Sequence, residues 1–153
     1  MQYWLVKSEP DCFSIEDLQR EKISSWTDVR SYAARNNLRA MKKGDLLLFY
    51  HSSCAVPGIV GVAKVAKEAY PDPTQFDPNA EGYDVKSTVE NPRWSTVDVS
   101  LLEIFKTPLT LTELKQDRFF SGMEVVKQGS RLSVQPVAEP QYKRIVELRG
   151  IKR

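Results

Sequence analysis

The sequence predicts an α+β fold, a small barrel of mostly antiparallel strands with short helices at its periphery. Three observations lead there. Several stretches alternate or run apolar over strand lengths; the helical stretches are short and carry capping signals; and no βαβ series runs along the chain. Closing such strands into a barrel removes exposed edges.

Taken in order, Met1–Lys7 alternates and is rich in Tyr, Trp, Leu and Val, which suits a strand. Pro10 then keeps Glu9 out of the helical region and turns the chain. Ser14 and Asp17 form a capping box for a short helix whose apolar side is Ile15, Leu18 and Ile23. Trp26 stands in a polar loop. The helical period returns over Val29–Met41 and stops at Gly44, with Arg30 placed in the first turn, where a cation opposes the helix dipole. Leu46–Tyr50 is a near-continuous apolar strand, central and covered on both faces. Ile59–Lys67 is the next strand, antiparallel to it, with Gly58 and Gly61 marking a bulge or a close backbone approach. The three prolines of Tyr70–Pro78 argue against a regular element there. Ser95–Phe105 is an alternating strand with Trp94 at its mouth, and Thr110–Glu113 repeats the capping box before another short helix. Phe119 and Phe120 read as packing residues. Leu132–Pro136 is a last strand, and Pro140 opens a helix with Tyr142, Ile145, Val146 and Leu148 facing inwards.

The 153 residues, 41% hydrophobic and 27% charged, suit a single domain over 1–153 with a core of its own. A net charge of +2 excludes a strongly cationic coat protein, so anion binding must come from local clusters. Two exist: Arg30, Arg35, Arg39, Lys42 and Lys43, and Lys143, Arg144, Arg149, Lys152 and Arg153. Cys12 and Cys54 lack paired spacing and no signal core precedes the first strand, which predicts free thiols in a cytoplasmic protein. The apolar runs are too short to span a bilayer, so no membrane role is expected.

The chemistry concentrates in Trp26–Ser52, which holds aromatic faces, guanidinium groups, side-chain amides and the lone histidine. These are parts for stacking on a planar ring, reading its polar edge and holding a phosphate. Each also has a plainer role. Trp26 is either a packing tryptophan or a stacking surface, and Ser8 either satisfies a turn or meets a ligand. His51 has no Ser or Cys partner and no fixed Asp orienter, and so reads as a hydrogen-bonding residue. No catalytic, cofactor or metal-ligand set is assembled.

Seven stretches taken together resemble the EVE domain over nearly the whole chain: W-L-V-K-S-E-P, the block W-T-D-V-R-S-Y-A-A-R-N-N-L-R-A-M-K, F-Y-H-S, P-G-I-V-G, A-Y-P-D-P-T-Q-F, N-P-R-W-S-T-V-D-V and R-L-S-V-Q-P-V. The chain looks like a bacterial relative of the thymocyte nuclear protein group. The resemblance implies a PUA-like pseudo-barrel, related to YTH domains, that binds modified bases in DNA or RNA without catalysis. It makes Trp26 and Trp94 aromatic walls of a pocket, with Val29 counted beside them. Ser8 becomes a polar contact, and Asn36 or Asn37 a reader of the base edge. Tyr50, His51 and Ser52 match a pocket-floor strand, and Arg30 and Arg35 contact phosphate or base. The expected partner is therefore a nucleic acid with a modified, methylated base, bound by a monomer. Two other classes stay open: a sensor of a free base or nucleotide, and a nucleotide hydrolase using His51 with a nearby carboxylate.

Overall fold

A computed structural model describes residues 1–151; Lys152 and Arg153, part of the second basic cluster, lie outside the described residues. The elements run β1 (Tyr3–Ser8), α1 (Ile15–Glu21), β2 (Ile23–Ser25), α2 (Tyr32–Ala40), β3 (Leu46–His51), β4 (Gly58–Pro71), β5 (Ser95–Thr110), α3 (Leu111–Gln116), β6 (Val134–Val137) and α4 (Glu139–Leu148). All six strands form one sheet in the order β2-β5-β4-β3-β1-β6. Every pairing is antiparallel except that of β1 with β3, which run parallel with Ser8 opposite His51.

The alternation of the strands explains the packing. Along β1, Trp4 and Val6 enter one buried cluster while Leu5 enters the other; along β3, Leu47 and Phe49 part from Leu48 and Tyr50 in the same way. The first cluster is closed by α1 and α2, through Ile15, Leu18, Ala34 and Leu38. The second is closed by α3 and α4, through Leu114, Tyr142, Ile145 and Val146. β3 is central and buried on both faces, as its composition requires.

The sheet curls without closing. Helix α2 is tied to β5 by Arg39 Nε, which donates to Ser95 Oγ at 2.9 Å, and to β6 by Asn37 Nδ2, which donates to the Val134 carbonyl at 2.6 Å. β5 and β6 stand four places apart in a sheet whose strands are spaced by about 4.8 Å, so one helix of roughly 10 Å diameter reaches both only if the sheet wraps round it. α2 fills the seam of the expected pseudo-barrel. The glycine at position 61 lets β4 cross beneath α1, because a Cβ there would collide with the Ile15 side chain and the Glu103 carbonyl.

Several boundaries differ from expectation for physical reasons. α2 begins at Tyr32, not at Val29, because the Ser31 side chain caps it by accepting from Ala34 N at 3.3 Å. Arg30 therefore precedes the helix and meets no dipole. Lys42 and Lys43 follow Met41 rather than occupying the last turn. Ile23 leaves α1 to begin β2 and is 56% exposed. The proline-rich stretch is regular over most of its length: Tyr70 and Pro71 finish β4, and Pro73–Phe76 is a 3₁₀ turn with proline in its first positions. β5 runs on past Phe105 to Thr110 through a series of register shifts against β4. Phe120 is buried, but Phe119 and Leu148 are exposed. Of the second basic cluster, the described residues are paired on the surface: Lys143 with Glu139, Arg144 with Asp117 and Arg149 with Glu113.

Candidate functional site

The loop that joins β2 to α2, Trp26–Ser31, is held as a rigid shape by one buried carboxylate. Asp72 Oδ2 accepts from the backbone N–H of Asp28 at 2.8 Å and from Arg30 Nη1 at 3.1 Å. Its Oδ1 accepts from the backbone N–H and the hydroxyl of Thr74, at 2.8 and 2.7 Å. Burial pushes the Asp72 carboxyl up, yet these hydrogen bonds outweigh it and hold the group below its ordinary value. Asp28 sits at φ +67°, a left-handed conformation that Asp tolerates better than most residues.

Arg30 completes the fastening. Its Nε and Nη2 both donate to the Gly82 carbonyl, at 3.0 and 2.7 Å; Nη1 also reaches the Val29 carbonyl, and Nη2 the Thr74 hydroxyl. All five N–H groups of this guanidinium are occupied. Residue 82 is a glycine for a local reason, since a Cβ would stand 2.6 Å from Arg30 Nη2. Arg30 is thus the clasp of the loop, with no donor left for a phosphate, which corrects the role expected for it.

Between this loop and the end of β1 lies an open cleft of about 790 Å³. Ser8, Trp26, Val29 and Arg30 line it together, joined by Phe13 from the turn before α1. Trp26 forms its aromatic corner. Its ring stands perpendicular to Phe13 (6.1 Å, 89°) and to Phe49 (5.4 Å, 89°), so neither ring lies flat on the indole. Its backbone N–H donates to the Val97 carbonyl at 2.8 Å, which fixes the ring to β5. The Ser8 hydroxyl donates to the Phe13 carbonyl at 2.5 Å and so holds the aromatic turn against the strand end. Four carboxylates, Glu9, Glu21, Asp28 and Glu81, also border the cleft.

The other residues expected at the site lie elsewhere. Trp94 is not a wall of the cleft: its indole N–H donates to Asp84 at 2.8 Å, and its ring packs on Tyr32 (5.1 Å, 21°) and under Arg30 (5.6 Å). That indole hydrogen bond, first among the causes, keeps the Asp84 carboxyl below its ordinary value. Asn37 is consumed by Val134, and Asn36 accepts from Arg35 Nε and Nη2 on the outer side of α2. Arg35 reaches the Arg93 carbonyl rather than the cleft. Tyr50 points into the second core, where burial pushes its phenol up to about 12; it is Phe49, one residue earlier, that backs Trp26. His51 supports the site from behind. Its Nε2 accepts from the Ile15 backbone at 3.1 Å, its ring meets Phe49 edge-on, and burial lowers its pKa. Ser52 donates its N–H to the Ser8 carbonyl at 3.0 Å.

Phe13, Asp72 and Gly82 were not foreseen. Phe13 does have a local signal, since it occupies the position just before a capping box, where a staple-like apolar residue is common. Asp72 shows locally only its capping of the Pro73–Phe76 turn through Thr74, and Gly82 shows nothing, because the Arg30 that both hold stands 42 and 52 positions away.

The curled α+β sheet and its aromatic cleft describe a class of small domains rather than one protein. A family model for the EVE domain matches residues 2–148, and the chain belongs to that family. It is 43% identical to thymocyte nuclear protein 1 of Homo sapiens, covering 95% of this chain and 73% of that protein. Among solved structures, a protein of Pseudomonas syringae is 51% identical and superposes with a TM-score of 0.93, covering 96% of this chain and 99% of the other. Human THYN1 in complex with DNA containing 5-methylcytosine is 40% identical, with a TM-score of 0.89 and full coverage of both chains.

Proposed function

We propose that this protein binds DNA by taking a methylated base, 5-methylcytosine in the first instance, into the cleft beside Trp26, without turning it over. The observation that carries the reading is the Trp26 indole, which is 7% exposed, lines a cleft large enough for a nucleobase and is met only edge-on by its neighbouring rings. The likeness to human THYN1, whose complex holds 5-methylcytosine DNA, supports the choice of base and sets DNA ahead of RNA.

The chemistry is consistent with that base. Stacking on an aromatic side chain contributes about 1–3 kcal/mol per base, which offsets the cost of extrusion. The carboxylates at the cleft border accept from an exocyclic amine, as Glu and Asp do from cytosine N4. The 5-methyl group adds about 0.8 kcal/mol when buried, close to a fourfold preference. Engagement of the His51 ring nitrogen by the Ile15 backbone favours binding over hydrolysis. The module acts as a monomer inside the cell.

The test is anisotropy titration of labelled oligonucleotides differing only in one 5-methyl group. Wild type prefers the methylated strand by roughly fourfold. Trp26→Phe and Phe13→Ala, both milder than removal of the buried indole, reduce that preference while the proteins remain folded by circular dichroism. Equal binding of both strands by wild type overturns the reading.

A further inference from the structure

The cleft that accepts the base is bordered by four carboxylates against one lysine, Lys7, and its one arginine has no free donor, so the phosphates of the same strand call for further cations outside it. The outer side of α2 offers a place. Arg35 Nη1 and Arg39 Nη2 both donate to a single oxygen, the Arg93 carbonyl, at 3.0 and 3.3 Å. Two guanidinium groups that share one oxygen stand close enough to share one phosphate. Among the described residues, neither Arg35 nor Arg39 has a carboxylate within ion-pair distance, whereas Arg20, Lys127 and Lys143 each pair with an acid three or four positions away. Their mutual repulsion is therefore uncompensated, and it contributes, after burial, to lowering the Arg39 pKa.

The pair is also continuous with the cleft. Arg35 lies over Tyr32 (4.7 Å), Tyr32 stacks on Trp94 (5.1 Å), and Trp94 packs under Arg30, which lines the cleft. Tyr32 is 54% exposed, so this ladder of rings and cations reaches the surface. We propose that Arg35 and Arg39 form a phosphate clamp for the nucleic-acid strand that flanks the base held in the cleft. The assignment rests on the nucleic-acid reading above but not on methyl recognition.

The experiment measures the dependence of log K on log salt for methylated and unmethylated single-stranded oligonucleotides. It compares wild type, Arg35→Gln/Arg39→Gln and Arg35→Lys/Arg39→Lys. The Gln pair weakens both strands by the same factor and lowers the slope by about 0.7 for each phosphate released, leaving the methyl preference unchanged. The Lys pair restores the slope. A Gln pair with the wild-type slope overturns the clamp even if methyl preference stands. A wild type without methyl preference, but with the slope change intact, overturns the base reading and leaves the clamp. No oligonucleotide binding by wild type overturns both.

Discussion

At the scale of single residues, Asp72 decides the shape of the cleft without lining it. Asp72→Asn removes the charge that compensates Arg30 inside the protein, and breaking such a buried pair costs about 3–5 kcal/mol. Thermal denaturation followed by circular dichroism should show a fall of roughly 2–4 °C per kcal/mol for a domain of this size. Because the folded carboxyl titrates below its ordinary 3.8, the unfolded chain takes up the proton first. The contribution is whole above that value and is lost as the pH falls through the folded pKa. His51 has its own window. Its folded pKa is depressed below 6.5, so its neutral form stabilises the fold fully above 6.5, and stability declines as the pH falls through that value. Urea denaturation at pH 7.5 and 5.5 should show the decline in wild type. His51→Ala should flatten it while costing about 1–3 kcal/mol at the higher pH, because the Ile15 N–H loses its acceptor. Trp26, Ser8 and Val29, singled out in the sequence through the family resemblance rather than through their local setting, do stand together along the cleft. Arg30 lines the cleft too, but with its donors engaged, and Trp94 lies outside it, since a side chain's type does not reveal which of its faces is already taken. For both, the answer lies in residues far along the chain.

At the scale of elements, what was legible was local. Two capping boxes, Ser14 with Asp17 and Thr110 with Glu113, are complete within four positions, and both helices start where they say. Strand β2 was invisible because it has three residues, and what makes it a strand is pairing with β5, some 75 positions away in register from Ile23 to Ser100. The start of α2 was misjudged because Val29 continues its apolar period while belonging to the loop that Asp72 holds. Asn37 gives a test at this scale. Replacing it with Ala removes the bond to β6 and should cost about 1 kcal/mol. Hydrogen exchange should then quicken at the Val134–Val137 amides before it does in β3 or β4.

At the scale of the molecule, both apolar clusters are built on opposite faces of one sheet, so neither can come apart while the other stays whole. Unfolding should be a single transition, with coincident midpoints by far-ultraviolet circular dichroism and by tryptophan fluorescence. Among the described residues no helix is long and apolar enough to cross a membrane. The seam bridged by α2 also bears on how the chain is made. The β6 anchor emerges long after the helix it holds, since Val134 is synthesised 97 residues after Asn37. Until then β1 has β3 on one side and an unpaired edge on the other, the kind of edge that invites strands from other chains. A ribosome that stalls before Val134 therefore displays an open half-barrel, and the vulnerable period of this protein is its translation rather than its mature life.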